Sequence, residues 1–223
     1  AVIVHQALAG LGPILTRRHA ASRWIYLCHS LAHEEYDTRN TSTQSAIASL
    51  RRHANLRARR SVEGAVMSRC HRVVVLSQFM RQRVMAAHGI SSTRIGLIPG
   101  AVDPELFKPA IQRYAARATL NLPNDRTILF TVRNLVPRMG LENLLSAFKM
   151  LIPAQPRLML VIGGEGPLRA QLQEVIRQKN LHEVVRLVGF VPESQLNNYY
   201  QASDLVVMPS LQLEGFGLVM VEA

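Results

Sequence analysis

Eight short runs of apolar, mostly β-branched residues recur along the chain, each followed by a longer amphipathic stretch. They are Val2–His5, Trp24–Cys28, Val73–Leu76, Ile95–Ile98, Thr127–Val132, Leu158–Ile162, Val184–Val188 and Leu205–Met208. The runs are nearly continuous rather than alternating, so both faces of the strands they form must be covered. Strands covered on both faces and separated by helices pair in parallel. The pattern therefore confines the chain to an α/β fold. Residues are 48% hydrophobic but only 5% aromatic, which favours an aliphatic core over an aromatic-rich β-sandwich.

Helices fit the intervals. Thr43–Ser68 is long and basic. Ser77 is placed to cap a helix that Gly89 ends. Leu141–Leu151 follows Gly140, and Glu193–Gln201 is short. Pro167–Lys179 opens with proline in the first turn, where its missing N–H costs nothing. Between Pro99 and Ala110, three prolines and a glycine interrupt the periodicity. That interruption predicts two Rossmann-like domains, 1–108 and 109–223. Ligands are expected at the carboxyl ends of their strands. The chain opens mid-strand at Ala1 and stops at Ala223 just as a helix begins, so both domains are expected to be incomplete.

The formal net charge of +11 needs a partner or a solvated face. Its densest cluster is Arg51-Arg-His-Ala-Asn-Leu-Arg-Ala-Arg-Arg60. Either this is a solvated helix face or it meets an anionic membrane surface as a peripheral contact. Nucleic acid is disfavoured, because no aromatic interleaving, zinc-finger spacing or RNP-like strand is present to read bases. Cys28 and Cys70 make no metal spacing, and a reduced, cytoplasmic protein is the simplest expectation. His29, His33 and Glu34 lack the H-E-x-x-H helical spacing, so no metal is expected there.

The chemistry concentrates in loops after strands. In Glu214-Gly-Phe-Gly-Leu-Val-Met-Val-Glu222, two carboxylates bracket a glycine turn that opens a helix. Backbone N–H groups at a helix start lack helical partners and favour an anion. A phosphate would fit between acids that bind sugar hydroxyls. Gly163-Gly-Glu-Gly166 lacks the G-x-G-x-x-G spacing of a dinucleotide site and reads first as a tight strand-to-helix turn, which disfavours an NAD-dependent oxidoreductase.

From Val73 onward the chain resembles the retaining glycosyltransferases of family 4, with the GT-B fold of two facing Rossmann-like domains. The resemblance rests on Val75-Leu-Ser-Gln-Phe79, Ile98-Pro-Gly-Ala-Val-Asp103, Phe107-Lys-Pro109 and Arg133-Asn-Leu-Val-Pro-Arg-Met-Gly140. It continues in Gly163-Gly-Glu-Gly-Pro167, Val188-Gly-Phe-Val-Pro192 and the Glu214…Glu222 segment, and His29-Ser30 resembles the family's N-domain histidine. The resemblance implies transfer of a sugar from a UDP- or GDP-linked donor to an acceptor hydroxyl on a glycan or lipid, without a bound metal or other cofactor. The implied sugar contacts are His29 and Glu214, and Glu222 would take the ribose. Gly189, Phe190 and Val191 would meet the base. The backbone of Gly215, Phe216, Gly217 and Leu218 would lie at the diphosphate, and Gly164 is a further implied contact of the nucleotide sugar.

One departure bears on chemistry. With Leu135 and Gly140 as anchors, Asn134 and Met139 stand where the family carries an arginine and a lysine. Arg133 and Arg138 each sit one residue earlier and keep the mutual spacing, so these two are the expected diphosphate ligands. The alternative is a catalytically degenerate protein that binds nucleotide sugars without turning them over.

Overall fold

A computed structural model describes residues 1–16, 23–40, 45–107 and 113–223. They divide into two compact units: Ala1–Gly100 with Leu213–Phe216, and Ala101–Gln212 with Gly217–Ala223. The expected boundary between 108 and 109 lies outside the described residues, as do Lys108, Pro109 and Thr43.

The first unit contains β1 (Val2–Val4), α1 (Ala7–Leu15), β2 (Trp24–Cys28), α2 (Ala32–Arg39), α3 (Ala46–Arg69), β3 (Arg72–Val75), α4 (Gln78–His88) and β4 (Ile95–Leu97). Its strands form one parallel sheet in the order β1-β2-β3-β4. Tyr26, Val73 and Val75 pack with Val66 and Met67 of α3 and with Met80 and Val84 of α4. Ser77 caps α4 by accepting from Met80 N–H at 3.2 Å. Gly89 ends it in the left-handed region, with φ of 64°, where glycine carries no Cβ penalty.

The second unit contains α5 (Arg113–Thr119), β5 (Thr127–Val132), α6 (Leu141–Leu151), β6 (Leu158–Gly163), α7 (Arg169–Gln178), β7 (Val185–Gly189), α8 (Glu193–Ala202), β8 (Leu205–Val206) and α9 (Val219–Glu222). The strand order is β7-β6-β5-β8, parallel throughout. Along β6, Leu160 and Ile162 pack with Leu145, Phe148 and Leu172 on one face. Met159 and Val161 pack with Phe130 and Tyr200 on the other. The continuous apolar run is thus explained: each face of the strand carries its own core.

Three helices depart from the sequence expectation. α1 contains Gly10, Gly12 and Pro13, which read as breakers. α2 buries no residue, so it has no apolar stripe to recognise. α5 is fixed by a polar tie, in which buried Arg117 donates to Ala202 O at 2.9 Å and to Asp204 Oδ2 at 2.6 Å. Pro167 lies in a turn before α7 rather than in its first turn.

Candidate functional site

Because β5, β6 and β7 run parallel, the loops that follow them emerge along one edge of the second unit's sheet. Two of these loops are bound together through main chain. Gly164 N–H donates to Gly189 O at 2.6 Å, Leu135 N–H to Glu165 O at 2.9 Å, and Leu168 N–H to Leu135 O at 3.0 Å. The approach is close enough to require glycine. At Gly164, with φ of +128°, a Cβ would stand 1.8 Å from Arg133 O, and at Gly166 one would stand 2.5 Å from Leu135 O.

A cavity of about 320 Å³ opens between these loops and the chain's C-terminal turn. Arg133, Asn134, Gly164, Phe190, Val191 and Glu222 all face it. The structure therefore brings five of the expected site residues together: Arg133, Gly164, Phe190, Val191 and Glu222. The Phe190 side chain is 73% exposed at the rim, available for a flat ligand to stack on. The Glu222 carboxylate accepts from the Tyr200 hydroxyl at 2.7 Å. Burial and this bond together push the tyrosine well above its usual range, and the nearby Arg133 charge pulls it back. A guanidinium, a carboxylate with accepting capacity left and an aromatic rim suit a ligand with an anionic centre and vicinal hydroxyls.

Other expected residues lie elsewhere. Arg138 sits in the 3-10 turn Pro137–Met139 and does not line this cavity; its carbonyl accepts from Leu211 N–H at 2.9 Å. Met139 does line it, from a buried position beside Leu141 and Leu144. Gly189, with φ of +76°, sits behind the loop against the Glu165–Arg169 ion pair. Gly217 is buried with φ of 74°, and exposed Leu218 leads into the four-residue α9. Glu214, Gly215 and Phe216 are half-buried and group with the first unit.

His29 also belongs to the first unit. It is exposed just beyond β2, its ring stacked on His5 with centroids 5.6 Å apart. Both histidines line a cavity of about 380 Å³ with Ser30, Tyr36, Arg39 and Arg59. The Arg59 guanidinium lies over the Tyr36 ring, 4.6 Å from its centroid.

Two groups escaped the sequence reading. Tyr200 looks like a core aromatic, and indeed packs on Phe107 and Phe130, so its role at Glu222 has no local signal. The second is a buried knot in the first unit. Glu63 Oε2 lies 3.0 Å from His33 Nδ1 and 3.1 Å from His88 Nε2, and Oε1 accepts from Ala32 N–H at 2.9 Å. Burial raises the Glu63 pKa, but the bonds from His33, His88 and Ala32 outweigh it and hold the carboxyl at about 2. The sole hint in the sequence is an acid on the same helix face as Val66 and Met67. The three ligand atoms lie within 4.8 Å of one another, so His33 clusters with Glu63 and His88 rather than with Glu34.

Residues 112–223 match the family described as glycosyl transferases group 1, and residues 1–106 match glycosyltransferase family 4. D-inositol 3-phosphate glycosyltransferase of Kineococcus radiotolerans is 32% identical over 171 residues, covering 72% of this chain and 39% of that protein. The protein of the same name from Mycolicibacterium smegmatis is 33% identical over 164 residues, covering 72% of this chain and 37% of that one. The chain thus spans two-fifths or less of these relatives' lengths. Among solved structures, sucrose-phosphate synthase of Thermosynechococcus elongatus superposes with a TM-score of 0.76 at 27% identity, covering 99% of this chain and 52% of that one. Anabaena HepE in complex with UDP gives a TM-score of 0.78 at 19% identity, covering 99% and 56%. With the group 1 match covering half the chain and the family 4 match most of the rest, the chain belongs to the group 1, family 4 glycosyltransferases and has their GT-B fold.

Proposed function

We propose that the protein is a retaining glycosyltransferase that moves a sugar from a nucleoside diphosphate sugar to an acceptor hydroxyl on a glycan or lipid. The observation that carries this reading is the cavity holding Arg133, Gly164, Phe190, Val191 and Glu222 at the carboxyl ends of β5, β6 and β7. As the glycosidic C–O bond breaks, negative charge builds on the departing diphosphate, and stabilising it is a large catalytic term. Arg133 supplies positive charge there, and Arg138 is the proposed second cation. Glu222 accepts from the ribose hydroxyls with the capacity that Tyr200 leaves. Backbone donors of Gly215–Leu218 serve the diphosphate, and Glu214 and His29 contact the transferred sugar. No metal is assigned to the reaction.

UDP is the first nucleotide to test, since structures of HepE with UDP and with UDP-glucose share this fold. A phosphorylated cyclitol is the first acceptor to try, since several relatives are named for D-inositol 3-phosphate. The deciding experiment titrates the full-length protein with UDP and GDP by calorimetry, without added metal, beside Glu222→Ala. Micromolar binding of one nucleotide, lost in the variant, supports the reading. Absence of binding by folded protein rejects it.

A second reading has its own observation. Asn134 and Met139, both uncharged, line the cavity where the family carries cations. This favours a protein that binds a nucleotide sugar without transferring it. Tight nucleotide binding with no turnover of any donor would select it.

A further inference from the structure

The structure divides the arginine cluster of α3 between two opposite faces. Glu63, Val66 and Met67 are buried on the inner face, with Leu56 partly buried on the same side. Arg52, Arg59 and Arg60 are engaged within the unit: Arg52 pairs with Asp37, Arg59 lies over Tyr36, and Arg60 donates to Ala87 O at 2.8 Å. These three cations serve the fold.

The outer face is different. Ile47, Leu50, Ala54 and Ala58 recur at i, i+3, i+7 and i+11 and form one stripe, on the side of the helix opposite Glu63. Ile47 is 82% exposed and Leu50 73%. Arg51 and Arg57, also exposed, flank the stripe on its two sides. Helix α3 has no acidic residue before Glu63. Two large aliphatic side chains held in water, rimmed by guanidiniums and free of carboxylates, fit one kind of surface. It is apolar below and negatively charged above.

We infer that the outer face of α3 docks in the plane of an anionic lipid bilayer, with Ile47 and Leu50 in the acyl boundary and Arg51 and Arg57 among the headgroup phosphates. Long arginine side chains can lie along the apolar stripe and still reach the phosphates. The inference goes beyond the proposed sugar transfer and does not depend on it, because vesicle binding is read without nucleotide.

The test is co-sedimentation of the full-length protein with phosphatidylcholine vesicles, either pure or mixed with phosphatidylglycerol. Binding to the anionic vesicles, and little to pure phosphatidylcholine, is expected. Arg51→Glu with Arg57→Glu should weaken it by at least about 30-fold, at about fivefold per arginine removed. Ile47→Ser with Leu50→Ser should weaken it independently and leave the circular dichroism spectrum unchanged, since both side chains face solvent. Arg60→Gln, on a cation already used by the fold, should leave vesicle affinity near that of the unaltered protein. Equal binding to both vesicle types, no effect of the outer-face variants, or salt-sensitive binding to an oligonucleotide in place of vesicles would each overturn the inference.

Discussion

The Tyr200 hydroxyl donates to Oε2 of Glu222 at 2.7 Å, joining the helix before β8 to the last turn of the chain. One carboxylate oxygen is thereby oriented from behind while Glu222 still faces the cavity. Tyr200→Phe keeps the ring packed against Phe107 and Phe130 but removes the bond. A hydrogen bond to a charged group contributes roughly 1.5–3 kcal/mol, part of which sets the carboxylate's orientation. UDP affinity measured by calorimetry should fall about 3- to 10-fold. An unchanged affinity would mean that the tyrosine does not position Glu222 for the ribose.

The two arginines are expected to behave differently. Arg133 lines the cavity and Arg138 does not. Arg133→Gln should cost about tenfold or more in nucleotide affinity, in line with the loss of a charge-assisted bond, and Arg138→Gln about threefold or less. Equal losses would show that the loop rearranges around bound nucleotide.

Gly164 and Gly189 separate two costs of a side chain. At Gly189 a Cβ would meet only the flexible ends of Arg169 and Glu165, both at 3.1 Å, so Gly189→Ala bears chiefly the left-handed backbone penalty, about 1–2 kcal/mol. At Gly164 the obstacle is the Arg133 carbonyl itself, 1.8 Å away. Gly164→Ala should destabilise by more than about 3 kcal/mol, because two strand ends must separate. Denaturant unfolding of the two variants side by side measures the difference.

The Glu63 knot predicts an acid dependence. Its carboxyl is lowered from the ordinary 4.5 to about 2 in the folded chain. A depressed carboxylate stabilises the fold above its unfolded pKa, and that stabilisation disappears as pH falls through the folded value. The window therefore runs from about pH 4.5 down to about pH 2, and the contribution is on the order of 3 kcal/mol at neutral pH. The stability gap between the unaltered protein and Glu63→Gln should be widest above the window and close within it. A gap constant from pH 6 to pH 3 (approximate bounds set by the same linkage) would contradict the assignment.

Burial pushes the Cys28 thiol far up, and pushes Cys70 to about 11 although Arg94 acts in the opposite direction. The thiolate is the reactive form. Neither cysteine should alkylate in the folded protein at mildly alkaline pH, and both should react once denaturant is added, as followed by mass spectrometry.

The sequence disclosed the elements whose signal is local and continuous. Leu141–Leu151 carries an apolar stripe behind a glycine, and its helix has those bounds. β5 spans Thr127–Val132 as expected from its uninterrupted run. α2 was illegible because nothing in it is buried, and α1 because its glycines and proline do not prevent a helix that packs on β1 and α3. At the site, a glycine turn after a strand pointed to Gly164, since backbone constraints leave a mark in composition. The Tyr200–Glu222 bond and the His33–Glu63–His88 knot leave none, since their members meet only through folding. The arginine run of α3 was visible as charge, but its division into fold-serving and outward-facing members required the helix's neighbours.

The Arg133–Leu135 and Gly163–Gly166 segments are joined by main-chain bonds rather than by side chains. The main-chain bonds of that part of the cavity wall are consequently insensitive to most side-chain changes, because peptide groups are present whatever residue stands there. Glu165 shows the freedom this gives: its carbonyl is structural, and its side chain is engaged separately, by Arg169. Diversification of ligand preference among descendants of this chain would then fall to rim side chains such as Phe190, while the peptide frame beneath persists unchanged. Within that frame Gly164 and Gly166 would resist drift for want of space, and Arg133 for the charge its side chain brings to the cavity.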